Sequence, residues 1–313
     1  MSTAMNQTPN AQATEFRASG TDISERRRSG VSRGPIMDLV PTADMQAITW
    51  GPDGAARIGA SVTIAALAAD ARLAVAYPGL AAAAGGLATP QIRHLATLGG
   101  NLAQRTRCWY YRNPDIACLK KGGTTCPARD GNHLYGVAFD LGPCVAPHPS
   151  TMAAALLAYD ASVTTDKRAA LTIGALLGDG SNGAADHALQ AGETMTAIQL
   201  SPPVAGERAI YKRAISRAHA EWPLVELVAR FVLVDGRVQM VRLAAGGVAP
   251  VPIRLTAAEA ALKGTSASAT DIATAAQRAI AGAKPLPMTG YKLTLLSGLV
   301  QDVVERCTSA AAG

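Results

Sequence analysis

Gln91-Ile-Arg-His-Leu-Ala-Thr-Leu-Gly-Gly-Asn-Leu102 is the stretch that decides how the chain is read. Pro90 to Leu95 has the makings of a short helical turn, and it leads into Thr97-Leu-Gly-Gly-Asn101. Glycines at that point let main-chain amides approach an anion closely, and consecutive amides form an anion nest. Thr97 and Asn101 add side-chain donors. The stretch looks built for contact with a phosphate or a flavin. A second glycine turn, Ala18-Ser-Gly-Thr-Asp22, follows a strand-like start at Phe16, with Thr21 as a further donor. There is no Gly-x-Gly-x-x-Gly fingerprint and no Walker loop, which disfavours a Rossmann or P-loop reading.

Just downstream lie Cys108, Cys118, Cys126 and Cys144, in a segment rich in Gly, Pro, Asn and Asp. Four thiolates suit a [4Fe–4S] cluster or a structural zinc. The gaps of nine, seven and seventeen residues contain no C-x-x-C knuckle and are unlike the compact ferredoxin run. They suit a loop that wraps a cluster from several sides. Arg105, Arg107, Arg112, Lys120 and Lys121 would offset a cluster's negative charge. Zinc and four unrelated reduced thiols are the alternatives. The segment 105–147 has no sustained period and is long for a connecting loop, so a bound group would explain its order. Cys307 sits in a helical tail and reads as a buried or half-buried thiol.

Length and composition bound the rest. A chain of 313 residues, 49% hydrophobic, is globular and long enough for two domains. The net charge of +6 is modest, and basic residues are not interleaved with aromatics, so no nucleic-acid partner is expected. The dense run Glu25-Arg-Arg-Arg-Ser29 reads as a solvated loop or an anion contact. No apolar run has membrane-spanning length, and Met1 to Thr14 is polar without a signal core. The expected location is therefore the cytoplasm, or the periplasm by co-export with a signal-bearing partner. The five histidines are scattered and no Gly-x-Ser-x-Gly elbow occurs, so a hydrolase is not indicated.

Residues 1–14 read as a flexible tail. A hairpin is expected from Ala47–Trp50 and Ala56–Ala60, a helix capped by Thr63, an alanine-rich helix over 78–86, and a helix over Met152–Tyr159 capped by Ser150. Ala161–Thr165 and Met195–Leu200 read as strands, with a turn-rich loop at Gly178–Gly183. A domain boundary is placed between 205 and 206. Beyond it, Ala209–Arg213 reads as a strand, Pro223–Arg230 as a strand or a helix, and Phe231–Val234 and Val238–Leu243 as a hairpin about Asp235-Gly236. Helices follow, one capped by Thr256, one starting after Thr270 and one over Tyr291–Cys307. The C-terminal part is thus an α+β layer.

These motifs resemble a known family. Gln91–Leu102 is similar to the second flavin-binding motif of the FAD subunit of molybdenum hydroxylases, the xanthine dehydrogenase and carbon monoxide dehydrogenase group. Ala18–Asp22 resembles that family's first FAD loop, and Leu243-Ala-Ala-Gly-Gly-Val-Ala-Pro-Val-Pro-Ile-Arg254 resembles the signature of its C-terminal domain. Gln104-Arg-Thr-Arg-Cys108, the other three cysteines and His148-Pro-Ser150 resemble the variants with an extra [4Fe–4S] cluster, the aromatic-aldehyde oxidoreductases most of all.

The resemblance implies a VAO/PCMH-type FAD-binding domain of two α/β subdomains over 15–205, with a [4Fe–4S] insertion at 105–147. A smaller CO-dehydrogenase-flavoprotein-like α+β domain follows over 206–313. It implies FAD at Arg17, Ala18, Ser19, Gly20, Thr21, Asp22, Ile23, Thr97, Gly99, Gly100, Asn101, His148, Ser150, Thr151 and Lys292, and the cluster at Cys108, Cys118, Cys126 and Cys144. It implies a molybdopterin-binding large subunit, a [2Fe–2S] small subunit and an external electron acceptor, with no substrate oxidation by this chain alone. His148 also reads as a structural histidine beside a proline. Three departures stand out. Ser19 replaces a family glycine, Thr151 replaces an acidic residue that contacts the flavin, and residues 1–13 are short and polar where relatives have a strand and helix. They motivate an alternative: a structural subunit that keeps the cluster but holds FAD weakly or not at all.

Overall fold

The computed structural model describes residues 14–216 and 221–309, so the expected tail up to residue 13, and His219, lie outside the described residues. Strand β1 (Glu15–Arg17) pairs in parallel with β2 (Ile36–Asp38). Between them runs helix α1 (Ile23–Arg28), where the sequence suggests a loop. Local pairing makes the helix: Arg26 is buried and its Nε donates to Asp22 Oδ2 at 2.9 Å, one turn back, while its Nη1 reaches Glu15. Arg27 and Arg28 stay exposed.

The rest of the N-terminal domain surrounds a five-stranded antiparallel sheet in the order β3-β4-β7-β5-β6. Its strands are β3 (Ile48–Trp50), β4 (Ala56–Gly59), β5 (Ser162–Thr165), β6 (Leu171–Thr172) and β7 (Met195–Leu200). The expected β3–β4 hairpin is present, with Thr49 opposite Arg57. Helices α2 (Ile64–Ala69), α3 (Ala71–Ala76), α4 (Pro78–Gly86), α5 (Pro90–Leu95) and α6 (Leu98–Leu102) precede the cysteine segment; α7 (Trp109–Arg112) lies inside it; α8 (Thr151–Ala158) and α9 (Ile173–Leu177) follow. Thr63 and Ser150 cap α2 and α8 as expected, their hydroxyls accepting from Ala66 N at 3.1 Å and Ala153 N at 3.0 Å. Helix α3, strand β6 and helix α9 are too short for a sequence period to announce them. Ile58, Ile64, Leu67, Leu80, Met152 and Leu156 fill the core between sheet and helices.

The C-terminal domain is an antiparallel sheet, β11-β10-β9-β8, backed by three helices. Its strands are β8 (Arg208–Ala214), β9 (Val225–Val234), β10 (Arg237–Gly246) and β11 (Ile253–Arg254). Its helices are α10 (Thr256–Leu262), α11 (Ala269–Ala279) and α12 (Tyr291–Thr308). Two caps differ from expectation. Thr256 is the first helical residue and not a cap, and Ser268 caps α11 in a capping box with Asp271. The ambiguity at 223–230 resolves as strand. β9 is buried along its first eight residues because both its faces are covered. Val225, Leu227, Ala229 and Phe231 face Leu296, Val300 and Val304 of α12 in one core. Val228, on the alternate face, belongs to the core of the N-terminal domain. The two domains therefore share a buried seam.

That seam is pinned by a buried ion pair. Arg230 donates to Glu207 at 3.1 and 2.6 Å and to the Ala158 carbonyl at 2.8 Å, and its guanidinium lies 3.9 Å from the centre of the Tyr159 ring. The Tyr159 hydroxyl donates to Glu207 at 2.9 Å and accepts from Gly79 N at 2.9 Å. Every polar atom of the cluster thus has a partner that offsets its desolvation.

The cysteine segment is irregular apart from α7 and a 3-10 turn at Leu119–Lys121. It packs on both domains. Ala138 and Phe139 enter the C-terminal core, and their amides donate to the Val248 carbonyl at 2.8 and 3.0 Å. Among the described residues, no helix is long and apolar enough to cross a membrane.

Candidate functional site

The first glycine turn lies between β1 and α1, and the second forms α6 against β4. Together they wall one cavity of about 320 Å3. Arg17, Ala18, Ser19, Gly20, Thr21, Asp22 and Ile23 line one side, and Thr97, Gly99 and Gly100 the other. In the first turn the left-handed residue is Gly20, with φ of 86°. Ser19 is not among the positive-φ residues, so a serine there strains nothing. Gly99 is required by proximity. Its amide donates to Ala60 O at 2.8 Å, and a Cβ would sit 3.0 Å from the Ala60 Cβ.

The Thr97 hydroxyl accepts from Gly100 N at 3.1 Å and caps α6. Asp22 has several partners of its own. Its carboxylate takes Arg26 Nε, Arg107 Nη2 at 3.0 Å, Arg112 Nη2 at 2.8 Å and the amide of Arg105. Burial pushes its pKa up, but Arg107 and Arg112 outweigh burial and hold it below the usual carboxylate range. Asp22 is thus the hub that binds the first turn to the start of the cysteine segment.

Five of the expected flavin residues do not line this cavity. Asn101 is buried, with Oδ1 accepting from Ser150 Oγ at 2.7 Å, a bond that ties α6 to α8. His148 is buried, Nδ1 accepting from Ser150 N at 3.3 Å, and Nε2 has no partner among the described residues. Thr151 donates to Glu226 at 2.8 Å, as does Tyr211 at 2.9 Å. Glu226 is fully buried, which raises its pKa, and Gly246 leaves the room it occupies, since a Cβ there would lie 2.4 Å from its Oε1.

Lys292 lines a second cavity of about 660 Å3 with Arg107, Cys108, Trp109, Tyr135 and Trp222. Its Nζ donates to Gly247 O at 2.7 Å and to Tyr135 O at 3.3 Å, and burial pulls its pKa down to about 7. Arg107 joins the walls of the two cavities, reaching Asp22 on one side and stacking 4.4 Å from the Trp222 ring on the other.

The four cysteines of the segment are free thiols. Cys126 and Cys144 are neighbours, and their interaction lowers the pKa of the first thiol and raises that of the second. Burial raises Cys108, and Cys126 and Cys118 add to that. Among the described residues, no three His, Cys, Asp or Glu side chains gather closely enough to hold a single metal ion. Thiols are soft donors, the kind of ligand that an iron–sulfur group or a zinc ion takes.

The 186–195 stretch carries site residues that the sequence conceals. His187, Leu189, Gln190 and Glu193 line the first cavity. His187 Nδ1 is buried without a partner among the described residues, and burial lowers that imidazole's pKa to about 4, so it is neutral and open to a ligand. A cavity walled by two glycine turns, with an orphaned ring nitrogen and Arg17, Arg26 and Arg105 on its walls, fits the phosphate-bearing end of a dinucleotide.

Residues 2–203 match the family described as FAD binding domain in molybdopterin dehydrogenase. Residues 209–307 match the CO dehydrogenase flavoprotein C-terminal domain. The chain belongs to the FAD-binding subunits of the molybdenum hydroxylases. It is an oxidoreductase subunit with the two-domain fold that the sequence motifs imply. It is 32% identical over 304 residues to the aldehyde oxidoreductase FAD-binding subunit PaoB of Escherichia coli (strain K12), covering 95% of this chain and 92% of that protein. A xanthine dehydrogenase FAD-binding subunit of Escherichia coli O157:H7 is 38% identical over 86 residues, 27% of this chain and 30% of that protein. The fold is shared with a carbon monoxide dehydrogenase chain from Hydrogenophaga pseudoflava at a TM-score of 0.73 and 20% identity, covering 94% of this chain and 89% of that one. It is likewise shared with quinoline 2-oxidoreductase from Pseudomonas putida 86 at a TM-score of 0.74 and 18% identity, covering 96% and 91%.

Proposed function

We propose that this chain is the FAD and [4Fe–4S] subunit of an aldehyde oxidoreductase-type or xanthine dehydrogenase-type molybdenum hydroxylase. In that role it would receive electrons from a molybdopterin subunit through a [2Fe–2S] subunit and pass them to an external acceptor. It would do so in the cytoplasm, or in the periplasm after co-export with its partners. The observation that carries the reading is the convergence of residues 17–23, 97, 99 and 100 on one cavity, whose wall includes Arg105, where the segment with the four free thiols begins. When bound, flavin supplies reversible one- and two-electron chemistry and an iron–sulfur cluster supplies one-electron transfer.

The chain's own residues would do the following. Gly20 and Gly99 permit the close backbone approach, Arg17 and Arg105 offset phosphate charge, and Arg107 and Lys292 hold cationic donors along the path between the cavities. Cys108, Cys118, Cys126 and Cys144 would hold the cluster. The intact first turn favours flavin retention over the alternative of a structural subunit.

Anaerobic reconstitution of the purified chain tests this. A flavin spectrum with roughly four irons per chain supports it. Colourless protein overturns it. Absence of flavin fluorescence after acid denaturation, with iron retained, would favour the structural subunit, and zinc without visible absorbance would replace iron by a zinc module.

A further inference from the structure

Between the first cavity and the thiols lies a buried carboxylate that neither the sequence motifs nor the functional reading uses. Asp186 Oδ2 accepts from Arg105 Nε at 2.6 Å, and Oδ1 pairs with Lys120 Nζ at 2.8 Å. Lys120 Nζ also donates to Ala185 O at 2.6 Å. The side chains of Asp186 and Lys120 are only 5% and 7% exposed, so solvent screens this pair little. Arg105 lines the first cavity. Lys120 stands in the 3-10 turn Leu119–Lys121 that begins directly after Cys118. Two imidazoles beside it carry no charge of their own at neutral pH. His148 and His187 are buried imidazoles held at about 4. One carboxylate therefore touches the cation on the flavin side and the cation on the sulfur side.

We infer that Asp186 is a positioning and tuning residue that fastens the cysteine segment to the flavin loop and sets the reduction potentials of both redox groups together. The inference builds on the proposed function. An electron arriving at either group adds negative charge, and a fixed buried anion nearby makes that less favourable. With the carboxylate in place, Arg105 and Lys120 are each half-neutralised. Without its charge, both cations act in full on their own side, and each group becomes easier to reduce. Tight pairing of one anion to two cations also fixes the distance between the loops, because Arg105 opens the cysteine segment and Lys120 stands within it, beyond Cys118.

The test is spectroelectrochemical titration of the full chain after anaerobic reconstitution with FAD, iron and sulfide, for wild type, Asp186→Asn and Lys120→Gln. Asp186→Asn keeps the shape and removes the charge. Its flavin and cluster midpoints should both move to more positive values. Lys120→Gln should move the cluster midpoint to more negative values and leave the flavin midpoint close to wild type. Unchanged midpoints in Asp186→Asn would overturn the inference, whether occupancy is retained or falls; a fall in occupancy alone would make Asp186 a strut. Should Asp186→Asn fail to fold, Lys120→Gln still decides: a cluster midpoint equal to wild type overturns the tuning role. Wild type that takes up neither flavin nor iron would instead refute the functional reading, and the inference with it.

Discussion

In the C-terminal domain, β9 and β10, ten residues each, pair at nine positions across one bulge and bury an apolar face against α12. In the cysteine segment, α7 has four residues, the sheet takes no strand from it, and a small cluster of Ala128, Val137 and Val145 is its own apolar nucleus. Burial of large side chains orders the first region, at about 1.5–3 kcal/mol for each fully buried Leu, Val or Phe. Long-range polar ties order the second. Asp22 binds its start, Asp186 its middle, and the Val248 carbonyl its end. A region of the first kind tolerates the loss of a ligand. A region of the second kind, with so little apolar surface of its own, depends on what it binds.

Cys108→Ser gives the largest expected contrast. Iron uptake should fall from roughly four per chain to near zero. Limited proteolysis should then cut within 105–147 while the C-terminal domain stays resistant. Equal protection of the mutant segment would show that the polar ties suffice. Phe231→Ala, next in size, should cost about 3–5 kcal/mol in denaturant unfolding, because the side chain is fully buried against α12. Iron bound by the folded fraction should not change, and a loss of iron here would tie the two regions more closely than their contacts suggest. Gly99→Ala should weaken FAD roughly tenfold, about 1.4 kcal/mol, since the new methyl pushes α6 off Ala60. Flavin fluorescence titration reads this, and unaltered affinity would place the dinucleotide elsewhere.

Two pH effects of the same sign, in different windows, come last. His148 and His187 have folded pKa values lowered to about 4, so their stabilising contribution is complete above the unfolded value of about 6.5 and is lost as pH falls toward 4. The expected slope is at most about 1.4 kcal/mol per pH unit for each imidazole, and His148→Gln with His187→Gln should flatten it. Lys292, lowered to about 7, works at the other end. The unfolded chain binds the extra proton between pH 7 and about 10.4, so stability should rise with pH in that window and the rise should vanish in Lys292→Met. Midpoints from denaturant melts across pH measure both.

The fold was legible wherever a residue type has one physical use. Thr63 and Ser150 cap because a hydroxyl before an apolar run has free amides to bind. Asp235-Gly236 turns because few other pairs accept positive φ twice, as both do here. The ambiguity over 223–230 arose because a strand covered on both faces shows no alternation. The site was legible in its glycine turns and not in its charges. Arg26 and Asp22 read as a solvated run and a flavin ligand, yet they are partners in one buried network. Asp186 and His187 lie in a stretch without periodicity, and only the fold brings them beside Arg105, 81 residues away. Thr97 could be seen as a hydroxyl facing glycines, but whether it caps a helix or meets a ligand depends on a helix of five residues that no pattern announces.

The covering of β9 on both faces limits how this molecule can breathe. Clamshell opening of the two halves would strip Val228 of its neighbours and pull the Arg230 guanidinium from the Tyr159 ring and the Ala158 carbonyl. Such a seam resists separation of the halves, and change at the second cavity falls to side chains on its wall such as Arg107 and Trp222, which stack on each other there.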